Sequence, residues 1–180
     1  MRVTHTLLAA AVFSLTATPL QAQGDLFPPR AGLWGGFGIG AGYGEGAGEY
    51  QAGGSFNAQL GATLNPKVAV GADLSTWAWR SNGLAASAST LSGAVTFFPS
   101  ATGGFFLKGG AGFAATVNEV NQGSGKEAQT NSGFGVVFAL GQDMRMGTSL
   151  FLTPAFTFMF QRIGDQNLEF FLFTVGLTWR

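Results

Sequence analysis

The chain has 180 residues, of which 10% are charged and 46% are hydrophobic, with 29 Gly, 18 Phe and no Cys. Soluble domains usually carry about 25% charged residues, and disordered chains are poor in hydrophobic residues, so the composition fits neither class. The lack of Cys excludes disulfides, thiolate metal sites and thiol catalysis. A formal net charge of +0 leaves no basic surface for nucleic acid.

Residues 1–22 have the features of a cleaved secretory signal peptide. Arg2 supplies the positive charge, Leu7–Leu15 supply the apolar segment, and Leu20-Gln21-Ala22 supplies a cleavage site with a small residue. An apolar run of this length is too short to span a bilayer as a helix, which needs about 20 residues. We therefore expect the mature chain to begin near Gln23.

We expect the rest of the chain to divide into a short N-terminal segment, 23–30, which is periplasmic if the chain forms an outer-membrane barrel, and one barrel domain, 31–180. The domain is predicted from apolar residues that alternate with small or polar ones at a period of two, which is typical of β-strands. The first run covers Gly32–Gly44, where alternate residues are glycine. The second covers Gly54–Leu64, and the third resumes at Val68 after the turn signal Asn65-Pro66-Lys67.

Five further runs follow the same alternation and are separated by Pro, Gly or polar segments. The fourth run ends at Phe98, and the remaining four cover Phe105–Val117, Ser132–Gln142, Thr148–Phe160 and Leu168–Trp179. Eight strands of about 11 residues match the 9–11 residues that a tilted strand needs to cross a bilayer. The sequence therefore predicts an all-β fold, an eight-stranded antiparallel up-and-down transmembrane β-barrel with meander topology.

The connections between these strands predict an orientation. With both termini in the periplasm, the turns at 65–67, 99–104 and 143–147 are periplasmic. Four segments, which are longer on average, then face outward: 45–52, 80–87, 118–131 and 161–167. Short periplasmic turns and longer external loops are typical of outer-membrane barrels.

The polar face of the strands predicts a lumen with few charges. Asp73 and Lys108 are the clear charged residues within strands, and both have inward parity. We expect them to form a charge network inside the barrel. Bulky residues with the same parity are expected to fill the lumen or, at its outer end, to form a gate: Trp77, Trp79, Phe98, Phe106 and Met159.

Two kinds of barrel fit this alternation, a membrane barrel with its apolar face outward and a soluble lipid carrier with its apolar face inward. A soluble barrel would present an almost uncharged face of Gly, Ala, Ser and Thr to water, which gives poor solubility. Charge on a lipid-facing surface costs about 2–4 kcal/mol at the bilayer midplane. The low charge content therefore favours the membrane barrel.

Several segments resemble eight-stranded outer-membrane barrels of the opacity-protein and OmpA-like type. They are Phe97-Phe98-Pro99, the run Gly104–Gly112, Gly141–Arg145 and Leu152-Thr153-Pro154. The resemblance implies an integral protein of a Gram-negative outer membrane, surrounded by lipid and lipopolysaccharide. It also implies that periplasmic chaperones and the barrel-assembly machinery are partners in its assembly.

The last run, Thr174–Trp179, is similar to the terminal-strand signal that the barrel-assembly machinery recognises. The similarity assigns an assembly role to Thr174, Gly176, Leu177 and Trp179. The sequence departs from that signal in ending on Arg180 rather than on an aromatic residue.

The mature chain offers little catalytic chemistry, because the one histidine, His5, lies in the predicted signal peptide. A Ser-His-carboxylate triad and a His-ligated metal site both need imidazole, so we expect no enzyme and no cofactor. The sequence favours a non-enzymatic outer-membrane barrel with a role in envelope structure or surface interaction. A narrow, porin-like channel for small or hydrophobic solutes and a soluble periplasmic lipid-binding barrel are the alternatives.

Overall fold

Residues 30–46, 49–81, 83–122 and 125–180 are described by a computed structural model of the chain. The predicted signal peptide, 1–22, and all but Arg30 of the predicted 23–30 segment lie outside these described residues. No helix long and apolar enough to cross a membrane occurs within the described ranges. The described residues instead form strands, as the two-residue alternation predicts.

Eight long strands and one very short strand form a single sheet. Their bounds are β1 Leu33–Gly46, β2 Glu49–Asn65, β3 Val68–Ser81, β4 Leu84–Phe97, β5 Phe105–Gln122, β6 Gly125–Gln142, β7 Met144–Arg145, β8 Leu150–Ile163 and β9 Gln166–Trp179. Each long strand pairs antiparallel with the next long strand, and β7 pairs with β8. Because β1 also pairs with β9, the sheet closes. The predicted eight-stranded up-and-down barrel with meander topology is confirmed.

The long strands have 14 to 18 residues, and the predicted length of about 11 is wrong. Most of the predicted outward loop 118–131 is strand, since β5 and β6 pair continuously up to Gln122 and Gly125. The segments 45–52, 80–87 and 161–167 are shortened in the same way. Backbone pairing requires no apolar side chain, so polar residues such as Asn118 and Gln129 extend the sheet.

The barrel has two distinguishable ends. The "terminus end" carries Arg30, Arg180 and the turns after β2, β4 and β6. The "loop end" carries the hairpins β1–β2, β3–β4, β5–β6 and β8–β9. The turns at the terminus end fall at 66–67, 98–104 and 143–149, where the sequence places three of its turns.

The two faces of the sheet differ sharply in burial. Large apolar side chains on the outer face are exposed, with Phe113 at 79% and Ile39 at 68%. Bulky side chains on the inner face are buried, with Trp77 and Met159 at 0%. The packed core therefore lies inside the barrel, while an apolar surface covers its outside.

Glycines on the inner face of β1 allow the strands and the lumen side chains to approach closely. A Cβ atom on Gly42 would lie 2.8 Å from Cδ1 of Trp77, and a Cβ on Gly40 would overlap the carbonyl oxygen of Phe173 on β9. By contrast, a Cβ on the outward Gly93 of β4 would meet nothing within 4 Å. The glycine at position 40 is thus required by backbone packing.

We predict that Gly40→Ala destabilises the refolded protein by about 1–3 kcal/mol, as overpacking usually does. Gly93→Ala is the matched control and should stay within about 0.5 kcal/mol of the parent. Urea unfolding of both variants in detergent micelles measures the difference. Equal unfolding free energies would contradict the close approach of β1 and β9.

Candidate functional site

The middle of the lumen contains a buried ion pair between β3 and β5. The carboxylate of Asp73 contacts the ammonium of Lys108, and their side chains are 1% and 5% exposed. Ser75 Oγ donates to Asp73 Oδ1 at 2.8 Å, and Lys108 Nζ lies 3.5 Å from Gln59 Oε1. The pair therefore has hydrogen-bonding neighbours on both sides, as a buried pair needs.

An apolar layer closes the lumen on the loop side of this pair. Trp77 and Phe170 pack with ring centroids 5.3 Å apart. The buried layer consists of Trp77, Ala86, Ala88, Val137, Met159, Phe170 and Leu172, with Trp79 and Leu168 packed against it. Trp77 and Met159 were singled out in the sequence and lie in this layer, whereas Trp79 is only partly buried at its edge.

Phe170 and Leu172 are members of this layer that the sequence analysis missed. Their signal was available, because both have inward parity on the last strand. The prediction for that strand rests on the alternate apolar residues of its outer face. Bulky residues occur on both faces here, and Gly44 on the neighbouring β1 leaves room for the ring of Phe170.

A second buried cluster lies at the terminus end. It contains Trp34, Ala69, Phe98 and Phe106, and the rings of Phe98 and Phe106 have centroids 6.0 Å apart. The five predicted lumen fillers are thus distributed over two clusters. Trp77 and Met159 lie on the loop side of the Asp73–Lys108 ion pair, with Trp79 at the edge of their cluster. Phe98 and Phe106 lie on the terminus side of that pair.

Arg30 caps the terminus end and was not singled out in the sequence. Arg30 is 4% exposed, and its guanidinium carbon lies 3.7 Å from the centroid of the Phe98 ring. The Nη atoms donate to the carbonyl oxygens of Pro66 and Ser100 at 3.2 Å and of Ala101 at 2.9 Å, and also to that of Gly103. One side chain therefore connects the two turns that follow β2 and β4.

A second ion pair, between Arg180 and Asp143, lies beside Arg30. Thr153 Oγ1 donates to Asp143 Oδ1 at 2.8 Å and lies 3.0 Å from Thr178 Oγ1. The Arg180 guanidinium also lies 4.8 Å from the centroid of Phe151. Arg180, noted in the sequence as a departure from the assembly signal, thus belongs to the cap of the lumen.

The four residues assigned to an assembly signal lie on β9, at its seam with β1. Thr174 faces inward and is buried, and Gly176 faces inward where a Cβ would overlap the carbonyl oxygen of Phe37. Leu177 and Trp179 have outward parity, and Trp179 is 46% exposed. Recognition of these residues by the assembly machinery stays a prediction.

The loop end opens into a shallow vestibule above the apolar layer. A cavity of about 180 Å³ lies there, lined by Glu45, Trp77, Ala86, Ser87, Ala88, Thr116, Asn118, Asn131, Gln166 and Leu168. Trp77 and Ala88 form part of its floor, so it ends at the buried layer. In the described part of the chain, no group of three or more His, Cys, Asp or Glu could hold a metal ion.

No protein-family model and no curated protein matches this chain. Among solved structures, it is similar to Neisserial surface protein A, with a TM-score of 0.61, 12% identity, and coverage of 84% of this chain and 99% of that one. Ail, the attachment invasion locus protein of Yersinia pestis, gives a TM-score of 0.60, 9% identity, and coverage of 83% and 99%. OprG from Pseudomonas aeruginosa gives a TM-score of 0.50 and 12% identity, with coverage of 83% of this chain and 96% of that one.

These identities support a statement about the fold. With its closed meander of eight long strands and its filled lumen, the chain has the eight-stranded barrel fold of the opacity-protein and OmpA-like type. The resemblance found in the sequence is confirmed at the level of the fold.

We predict that Asp73→Ala or Lys108→Ala destabilises the refolded barrel by about 3–5 kcal/mol, because each leaves a buried charge without its partner. The matched control is Glu119→Ala, which breaks an exposed contact with Arg80 at 3.9 Å. An exposed pair contributes about 0–1 kcal/mol. Urea midpoints that are the same for all three variants would refute the difference between the buried and exposed pairs.

Proposed function

We propose that the chain is an integral outer-membrane protein of a Gram-negative bacterium, without enzymatic activity, that acts in envelope structure or surface interaction. The observation that carries this proposal is an uncharged apolar belt around the outside of the barrel. Lipid requires such a surface, because an unpaired charge near the midplane is costly. The fold shared with Neisserial surface protein A and Ail supports the same location.

The belt can be followed along individual strands. On β3, the outward residues between Lys67 and Arg80 are Val68, Val70, Ala72, Leu74, Thr76 and Ala78. On β9, the outward residues after Glu169 are Phe171, Phe173, Val175, Leu177 and Trp179. Each uncharged stretch covers about the 9–11 residues of a tilted strand that crosses a bilayer.

The inside of the barrel supports the membrane location over a soluble lipid carrier. A carrier would line its cavity with apolar residues and expose its polar face to water. Here the Asp73–Lys108 ion pair is inside, and Phe113 and Ile39 are exposed outside. A lumen filled by side chains and an apolar outer surface both argue against a soluble lipid carrier.

The proposed orientation places the terminus end in the periplasm and the loop end outside the cell. The vestibule at the loop end then becomes the site of surface interaction. Its described lining carries amides and the carboxylate of Glu45 but no cationic side chain. Ail has been crystallised with a heparin analogue, but this vestibule suits neutral ligands better than polysulfated ones.

A charge in the belt tests the membrane location. Ile39 and Leu33 share one face of β1, and both are exposed, at 68% and 77%. Ile39 lies mid-strand and pairs with Phe56 and Val175, whereas Leu33 is the first residue of its strand. We predict that Ile39→Arg lowers the unfolding free energy in lipid vesicles by about 2–4 kcal/mol, and Leu33→Arg by about 0–1 kcal/mol.

Urea titration of the protein refolded into phosphatidylcholine vesicles measures both values. Fractionation of cells gives a second readout, since an integral barrel stays in the outer membrane after carbonate washing. Recovery of the parent protein in the soluble periplasm, or equal effects of the two substitutions, would reject the proposal.

A narrow channel is the second candidate function, and the filled lumen disfavours it. Eight strands enclose an interior that side chains can fill, and Trp77, Met159 and Phe170 are each 0% exposed there. We predict that the protein shows no stable open channel in planar bilayers in which a known porin conducts. Reproducible unitary conductance would contradict the proposed structural role and favour the channel function.

A further inference from the structure

The vestibule at the loop end continues into a second, more open cavity of about 580 Å³. Three residues line both spaces: Asn118, Asn131 and Gln166. The two spaces therefore form one cleft, which we call the amide cleft. The larger of its two parts falls within the range of about 300–1,000 Å³ that is typical of small-molecule sites.

Four residues with side-chain amides line this cleft: Asn118, Gln129, Asn131 and Gln166. They are accessible to solvent, since Asn131 is half-buried and the other three are exposed. None of these side-chain amides makes a hydrogen bond within the described part of the chain. Because an amide group offers two N–H donors and a carbonyl acceptor, the cleft presents both kinds of group to a ligand.

The strand register arranges most of these amides in a fixed pattern. Asn118 on β5 lies directly opposite Gln129 on β6, and Thr116 lies opposite Asn131. Side chains that face each other across antiparallel strands are about 5 Å apart at Cβ, and alternate residues along one strand are about 7 Å apart. The amides therefore form a short grid on a paired hairpin, and a preorganised site of this kind loses less entropy on binding.

The charges around the cleft restrict the class of ligand. The described lining contains two carboxylates, of Glu45 and Asp165, and no cationic side chain. An anionic ligand would meet like charges there, whereas a neutral hydroxyl group can donate to an amide or carboxylate oxygen and accept from an amide N–H. Leu168 adds a partly exposed apolar surface. A sugar, which carries several hydroxyl groups on a partly apolar ring, matches this combination.

We propose that the amide cleft binds a neutral oligosaccharide, held by the side-chain amides of Asn118, Asn131 and Gln166. Because the hairpin grid and Gln166 lie on different strands, a chain of sugars contacts both more readily than a single sugar does. This inference deepens the proposed surface role, and it rests on the orientation that places the loop end outside the cell.

The first test uses isotope-labelled protein refolded in an uncharged detergent, so that the side-chain amides can be followed by NMR. Maltotriose, chitotriose and lacto-N-tetraose are titrated to millimolar concentration as neutral probes. At least one of them should shift the side-chain amide signals of Asn131 and Gln166. Sulfated lactose and a capped trialanine peptide should shift them less. Absence of a shift with all three neutral probes would overturn the proposal, as would stronger binding of the sulfated sugar or the peptide.

Gln166→Ala and Asn167→Ala form a matched pair of variants. Gln166 lines the cleft, whereas Asn167 has outward parity and pairs with Arg162. Loss of one hydrogen-bonding side chain should weaken binding of the neutral probe by about three- to tenfold in Gln166→Ala, and Asn167→Ala should bind like the parent. Both variants should keep the parent's urea midpoint, because both side chains are exposed. Equal affinities of the two variants for the probe would contradict a site in the cleft.

Ionic strength gives a further readout. The affinity for a neutral sugar should change less than about twofold between low and high salt, because no charge pair forms on binding. A steep loss of affinity with salt would show an ionic contact and overturn the proposal. Since binding is measured in micelles, its absence leaves the outer-membrane assignment intact. Recovery of the protein in the soluble periplasm would instead reject that assignment without changing the measured affinity.

Discussion

The limited interior width of an eight-stranded barrel is the constraint on which the rest of this structure depends. An inward ring needs space that the opposite or adjacent wall must provide. Trp77 lies against Gly42 and Gly53, and a Cβ on either would come within 2.8 Å of its indole ring. The ring of Phe170 uses the space at Gly44 in the same way. Glycines on β1 and β2 and bulky residues on β3 and β9 therefore form one complementary set.

A filled interior also determines how charge is handled. Since water is largely displaced, each buried ionic group needs a partner within the barrel. Asp73 on β3 pairs with Lys108 on β5, on either side of β4. Asp143 pairs with Arg180, the residue that follows β9. The apolar layer around Trp77 separates both pairs from the vestibule at the loop end. The lumen is therefore filled from the terminus end up to the floor of the vestibule.

Alternation along the chain was sufficient to predict the strands, their inward and outward faces and the closure of the barrel. It could not predict strand ends, because residues such as Asn118 and Gln129 keep pairing through the backbone where the apolar pattern stops. Parity alone gives no height within the barrel, but position along a strand does: it places Trp77 near the outer end of its strand and Phe98 beside the turn at 99–104, on opposite sides of the Asp73–Lys108 pair. Arg30 lies outside any strand, where alternation carries no information.

The seam between β1 and β9 shows how two adjacent residues can serve both faces of the sheet. Trp179 points outward, where its ring lies over Gly35 with its centroid 6.5 Å from that of Phe37. The next side chain, that of Arg180, turns inward and pairs with Asp143. An aromatic residue at position 180 could fill space there but could not neutralise that buried carboxylate. Because Trp179 already supplies an aromatic contact on the outer face, the arginine closes the seam from inside without removing that contact.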